Sequence, residues 1–88
     1  MNQGRRLIMR DDTVIEDGEA GYVQGNLWLW FRGYTLQQAA EIAFNPLKTG
    51  MITFEYGEMS DTYEGFTRCM GIQMDMDGKI SVCLTQGE

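Results

Sequence analysis

The 88-residue chain carries seven basic and thirteen acidic side chains, no histidine and two cysteines, for a net charge of −6 at pH 7. That length holds one domain, residues 1–88, with a thin core, because only roughly 60–65% of the unfolded surface can be buried at this size. Apolar residues make up 43% of the chain, with ten aromatics and seven methionines, which is too apolar for a disordered segment.

The charge is uneven. Arg5, Arg6 and Arg10 give the first ten residues +3, and the other seventy-eight carry four basic against thirteen acidic side chains, or −9. A body of that sign repels a phosphate backbone, which excludes direct nucleic-acid binding except through a short basic arm over residues 1–5. No run approaches the ~20 apolar residues of a membrane span, and Leu7-Ile8-Met9 is too short for a signal peptide's apolar block, so a cytoplasmic protein is expected. Two cysteines without histidine cannot complete a structural zinc site or a disulfide framework, and no cofactor or metal is expected.

Leu7 to Arg10 and Thr13 to Glu16 flank Asp11-Asp12 and read as an N-terminal hairpin. Glu19 to Val23 and Leu27 to Phe31 flank Gln24-Gly25-Asn26 and read as a second. Along the latter arm, Leu27, Leu29 and Phe31 take one face while Trp28 and Trp30 take the other. A strand apolar on both faces is expected in the middle of a sheet, with a helix over one face and a partner or a curled sheet over the other.

Thr35 followed three residues later by Gln38 is a capping-box pattern, so a helix starts there. Leu36, Ala39, Ala40 and Ala43 recur at helical spacing, extended by Phe44 or Leu47, and Pro46 is expected to end the helix. From Met51 the period falls to two through Ile52, Phe54 and Tyr56. A loop over Gly57 to Thr62, an extended segment from Tyr63 to Asp75 and a final strand from Lys79 to Thr85 complete the chain. The expected class is α+β, a mainly antiparallel sheet or partly closed barrel of about six to seven strands with one helix, in the order β-β-β-β-α-β-β-β.

The last hairpin can be set in register by matching apolar positions. A three-residue loop, Met76-Asp77-Gly78, with Gly78 left-handed, pairs Asp75 with Lys79, Met74 with Ile80 and Ile72 with Val82. A two-residue turn would put Ile80 and Val82 on the side of Asp75 and Gln73. The chosen register sets Cys69 opposite Thr85 and Cys83 opposite Gly71, diagonal neighbours at roughly 7–8 Å, too far for a relaxed disulfide.

The segment from Gln73 to Ile80 has carboxylates spaced like a calcium loop, yet its first position is Gln73 and its twelfth, where a bidentate glutamate belongs, is Leu84. Nucleophilic catalysis would have to use Cys69 or Cys83 without an imidazole, and no glycine-rich phosphate loop is present, so an enzyme is not expected. The candidate partner-binding residues are Trp28 and Trp30, with Tyr56, Glu58, Asp61 and Tyr63 around an acidic loop, because aromatics with a polar rim are interface chemistry.

Tyr34-Thr35-Leu36-Gln37-Gln38-Ala39-Ala40, Phe54-Glu55-Tyr56, Tyr63-Glu64-Gly65-Phe66-Thr67 and Asp77 to Leu84 resemble short uncharacterised proteins encoded in prophage or integrated elements of Gram-positive gut bacteria. The resemblance implies a virion- or assembly-associated accessory role and assigns no functional residue. The expected function is a small non-enzymatic protein–protein interaction module, partnered by another protein or by itself. The alternative is an acidic inhibitor that mimics nucleic acid in an enzyme that handles it.

Overall fold

A computed structural model describes residues 4–87. Its elements run β1 (Arg5–Ile8), β2 (Val14–Glu16), β3 (Glu19–Val23), β4 (Asn26–Phe31), α1 (Leu36–Ala43), α2 (Pro46–Thr49), β5 (Met51–Tyr56), β6 (Met59–Glu64), β7 (Arg68–Met74) and β8 (Ile80–Thr85). The strands form two four-stranded antiparallel sheets, ordered β2-β1-β5-β6 and β3-β4-β8-β7. The class is α+β as expected, but the sheets do not close into a barrel and eight strands replace the six or seven read from sequence. Of the basic arm expected over residues 1–5, residues 1–3 lie outside the described residues, and Arg5 is the first residue of β1, opposite Tyr56.

The extra strand is β6. Gly57, at φ +60°, starts a two-residue turn that puts Tyr56 opposite Met59, so most of the expected Gly57 to Thr62 loop is strand. Gln24 and Gly25 are both left-handed, at φ 51° and 87°, the type I′ pattern, and Asn26 therefore belongs to β4 rather than to the loop. The β1–β2 and β7–β8 loops share one design. Met9 N–H donates to Thr13 O at 2.8 Å and Asp75 N–H to Lys79 O at 3.0 Å, with Asp12 (φ 71°) and Gly78 (φ 84°) at the left-handed position.

The β7–β8 register follows the apolar match: Ile72 faces Val82 and Met74 faces Ile80. A bulge between Cys69 and Gly71 alters the far end, so Cys69 lies opposite Leu84 rather than Thr85, while Cys83 keeps Gly71. Alternation then turns Cys69 inward with Leu84 and Cys83 outward with Gly71. Both thiols are free.

One core joins the sheets. Leu7, Ile15 and Ile52 from the first meet Leu27, Leu29, Phe31, Ile80, Val82 and Leu84 from the second. Helix α1 begins as its capping box requires: Gln38 N–H donates to Thr35 Oγ1 at 3.0 Å and Thr35 N–H to Gln38 Oε1 at 2.9 Å. It buries Ala39, Ile42 and Ala43, whereas Leu36, Phe44 and Leu47 are exposed, contrary to the stripe expected of them. The small alanines let the helix approach β7 and β8, and its stripe is rotated toward Ile42. Pro46 does not simply stop it. Asn45 is extended, as a residue before proline should be, and caps a second helix in which Pro46 takes the first turn.

Candidate functional site

Strand β4 is central, paired with β3 and β8. Its inward residues Leu27, Leu29 and Phe31 are buried, and its outward residues Trp28 and Trp30 are half-buried on a face that α1 does not cover. The two indoles stack at 6.4 Å between centroids and 9° between planes. Residues two apart on one strand face are close enough for this, and the pair forms a rigid aromatic ridge.

Small residues flank the ridge. Register places Gly21, Trp28, Cys83 and Gly71 in one row and Glu19, Trp30, Ser81 and Gln73 in the next. A Cβ at Gly21 would come within 3.1 Å of Trp30 Cζ3, so the glycine makes room for the indole to lie across β3. Nothing stands within 4 Å of where a Gly71 Cβ would be, and beside it a cleft of about 410 Å³ runs between Trp28 and Met70 over Ser81 and Cys83. On the other flank, Val23, Gln24 and Asn26 border a shallow depression of about 420 Å³ against both tryptophans.

The rim holds the charges. Arg5 pairs with Glu19 at 3.1 Å at one corner, and Lys79 Nζ lies 5.9 Å from the Trp30 ring centroid, within cation–π range. Between them the two tryptophan rows carry no charge besides the paired Glu19. On a chain with thirteen acids, this is a neutral, aromatic face with a polar rim.

The acidic candidates gather elsewhere. Tyr63 lies opposite the buried Ile52, and Asp61 opposite Phe54, so Tyr56, Asp61 and Tyr63 share the inner face of the first sheet where the core gives way to solvent. Tyr56 O–H donates to Asp61 Oδ2 at 2.9 Å, and Phe54 packs on Tyr56 with centroids 4.7 Å apart. The hydrogen bond to Asp61 is the main cause raising the Tyr56 phenol above its ordinary range, and burial, then Asp61, raises Tyr63. Both phenols stay protonated donors at neutral pH. Glu58 is the second residue of the β5–β6 turn and is exposed.

The six residues singled out from sequence thus form two groups on different sheets, not one site. Missed were Gly21, Met70, Gly71, Ser81 and Cys83, which reach the tryptophans only through the β3–β4, β4–β8 and β7–β8 pairings. A sequence signal existed for Gly71 opposite Cys83. None existed for the β4–β8 pairing, which joins residues as far apart as Leu27 and Leu84.

Chemistry at the thiols is limited. Burial raises the Cys69 thiol above its ordinary range, which keeps it protonated and weakly nucleophilic. Among the described residues, no three histidine, cysteine or acidic side chains converge to hold a metal ion, and no helix is long and apolar enough to cross a membrane. Compared with known protein families, characterised proteins and solved structures, the chain matches none.

Proposed function

We propose that the chain is a small non-enzymatic protein-binding module whose contact surface is the Trp28–Trp30 face. One observation carries this reading: β4 commits Leu27, Leu29 and Phe31 to the core and holds two stacked indoles toward solvent on its other side. Exposed aromatic area in a neutral field is costly in water and typical of contact surfaces.

Size bears on the partner. Four strands at ~4.8 Å spacing and six residues at ~3.3 Å rise give a face of about 400 Å², half of the ~800 Å² that each side of a stable interface buries. A symmetric face-to-face dimer resting on this face alone would therefore be weak. The reading commits to a partner protein that covers the indoles and reaches onto the neighbouring loops. A virion setting and a part in phage particle assembly belong to the proposal through the prophage resemblance alone, and a cytoplasmic setting through the shortness of the chain's apolar runs.

The nucleic-acid-mimic alternative draws less support, because several carboxylates are spent internally. Asp11 is bonded to Lys48, Glu55 to Arg6, Glu19 to Arg5, and Asp75 to its own turn amides.

Light scattering on the free protein, followed by partner retention with Trp28→Ala/Trp30→Ala, tests the proposal. The expected result is a monomer, or a weak concentration-dependent dimer, whose partner retention is lost in a double variant that still folds. A folded double variant that retains its partner as well as the parent would overturn it.

A further inference from the structure

Each sheet has two edges, and three of the four are protected. Strand β2 has three residues; β7 is bulged at Met70 and flanked by α1; β3 is tied to β1 by the Arg5–Glu19 pair. Strand β6 differs. It runs six residues without a bulge, every residue but Tyr63 is exposed, and among the described residues it pairs only with β5.

The direction of its free backbone groups follows from the ladder. Gly65 N–H donates to Gly50 O at 3.0 Å in register with β5–β6, which sets the phase of the ladder, although Gly50 N–H goes to Pro46 O and Gly65 O accepts from Gly87 N–H. Hydrogen-bonded and non-bonded pairs alternate, so Tyr63, Asp61 and Met59 spend their amides on β5. Ser60, Thr62 and Glu64 point their N–H and C=O groups at the open edge.

The charge along this edge selects what can add to it. Glu55, Glu58, Asp61 and Glu64 stand on the β5–β6 hairpin, and the cations of the adjoining β1 are already paired, Arg6 with Glu55 at 2.7 Å and Arg5 with Glu19 at 3.1 Å. Two copies meeting edge to edge would bring these carboxylates together, which opposes self-pairing and favours a basic strand. Tyr63, Asp61 and Met59 line the inner face of the edge, with Tyr56 and Phe54 behind them. Glu64, Thr62 and Ser60 line the outer.

We infer that β6 is a docking edge for an extended basic segment of a partner protein, added as a fifth antiparallel strand, with lysine or arginine on its outer face and apolar residues on its inner face. The edge is a separate surface from the tryptophan face. The inference stands or falls without it.

The probe is a labelled octapeptide of alternating lysine and valine, with the glutamate–valine peptide as control. The lysine peptide should bind, weaken roughly tenfold or more in about 0.5 M salt, and slow hydrogen exchange at the Ser60, Thr62 and Glu64 amides while the Asp61 and Tyr63 amides stay as they were. Thr62→Pro removes the central outward N–H at a place where an edge strand tolerates proline, and should abolish binding. Should that variant fail to fold, Glu58→Lys/Glu64→Lys decides, by reversing the preference toward the glutamate peptide. No binding by the lysine peptide, equal binding of both peptides, binding that survives Thr62→Pro in a folded protein, or protection at amides away from β6 would each overturn the inference.

Discussion

Asp11 shows how one residue ties distant parts of the chain. Lys48 Nζ donates to its Oδ2 at 2.7 Å and the Thr13 N–H to its Oδ1 at 3.1 Å, so α2 is latched to the β1–β2 loop. Lys48 is the main cause that lowers the Asp11 carboxyl from 3.8 to about 2, with Thr13 second. A carboxyl depressed on folding adds stability above its unfolded pKa, and that contribution is lost as pH falls through the folded value. The acid limb attributable to Asp11 therefore lies between about 4 and 2. In Lys48→Met the Asp11 midpoint, read by carboxyl NMR, should rise toward the ordinary range, and the acid limb of stability should shrink as the folded value approaches the unfolded one. A midpoint that stays at about 2 would assign the shift to the loop and not to Lys48. The same loop places Asp12 where its counterpart uses Gly78, at φ 71° and 84°. Aspartate is among the few side chains that accept that conformation.

At the scale of elements, local signals carried the start of α1 and non-local ones did not carry the sheets. Thr35 and Gln38 spelled out the cap because its two hydrogen bonds lie within four residues of chain. Thr35→Ala should cost about 1 kcal/mol, read as a lower urea midpoint at unchanged slope; an unaltered midpoint would mean that packing of Ala39, Ile42 and Ala43 alone holds the helix. The β7–β8 register was legible because only one alignment matches apolar to apolar, whereas the bulge at Met70 leaves no periodic trace. Strand β6 escaped detection for a physical reason. It is an edge whose residues are nearly all exposed, so no alternation is imposed on Ser60, Asp61 and Thr62. The helix stripe was misread because Leu36 and Leu47 are apolar without being buried, and apolar residues at a surface leave the same mark in sequence as those in a core.

At the scale of the molecule, two four-stranded sheets enclose one core and leave their remaining surfaces with different characters. The outer face of the second sheet is neutral and aromatic around Trp28 and Trp30; the free edge of the first is acidic along β6. The strand from Leu27 to Phe31 was legible as a central strand, and its two-sided apolar pattern resolves into a buried side and a presented side. What could not be read is the company the indoles keep, since Gly21, Cys83 and Gly71 arrive from three other strands. Whether the presented side meets a partner is read by placing a benzophenone photo-crosslinking residue at Trp28, and separately at the exposed Gln37 of α1, in cells that make the chain. Protein adducts should form from position 28, competed by the unmodified protein and not by Trp28→Ala/Trp30→Ala, with no such adducts from position 37. Equal adducts from both positions, or competition by the folded double variant as effective as that by the parent, would contradict contact through this face.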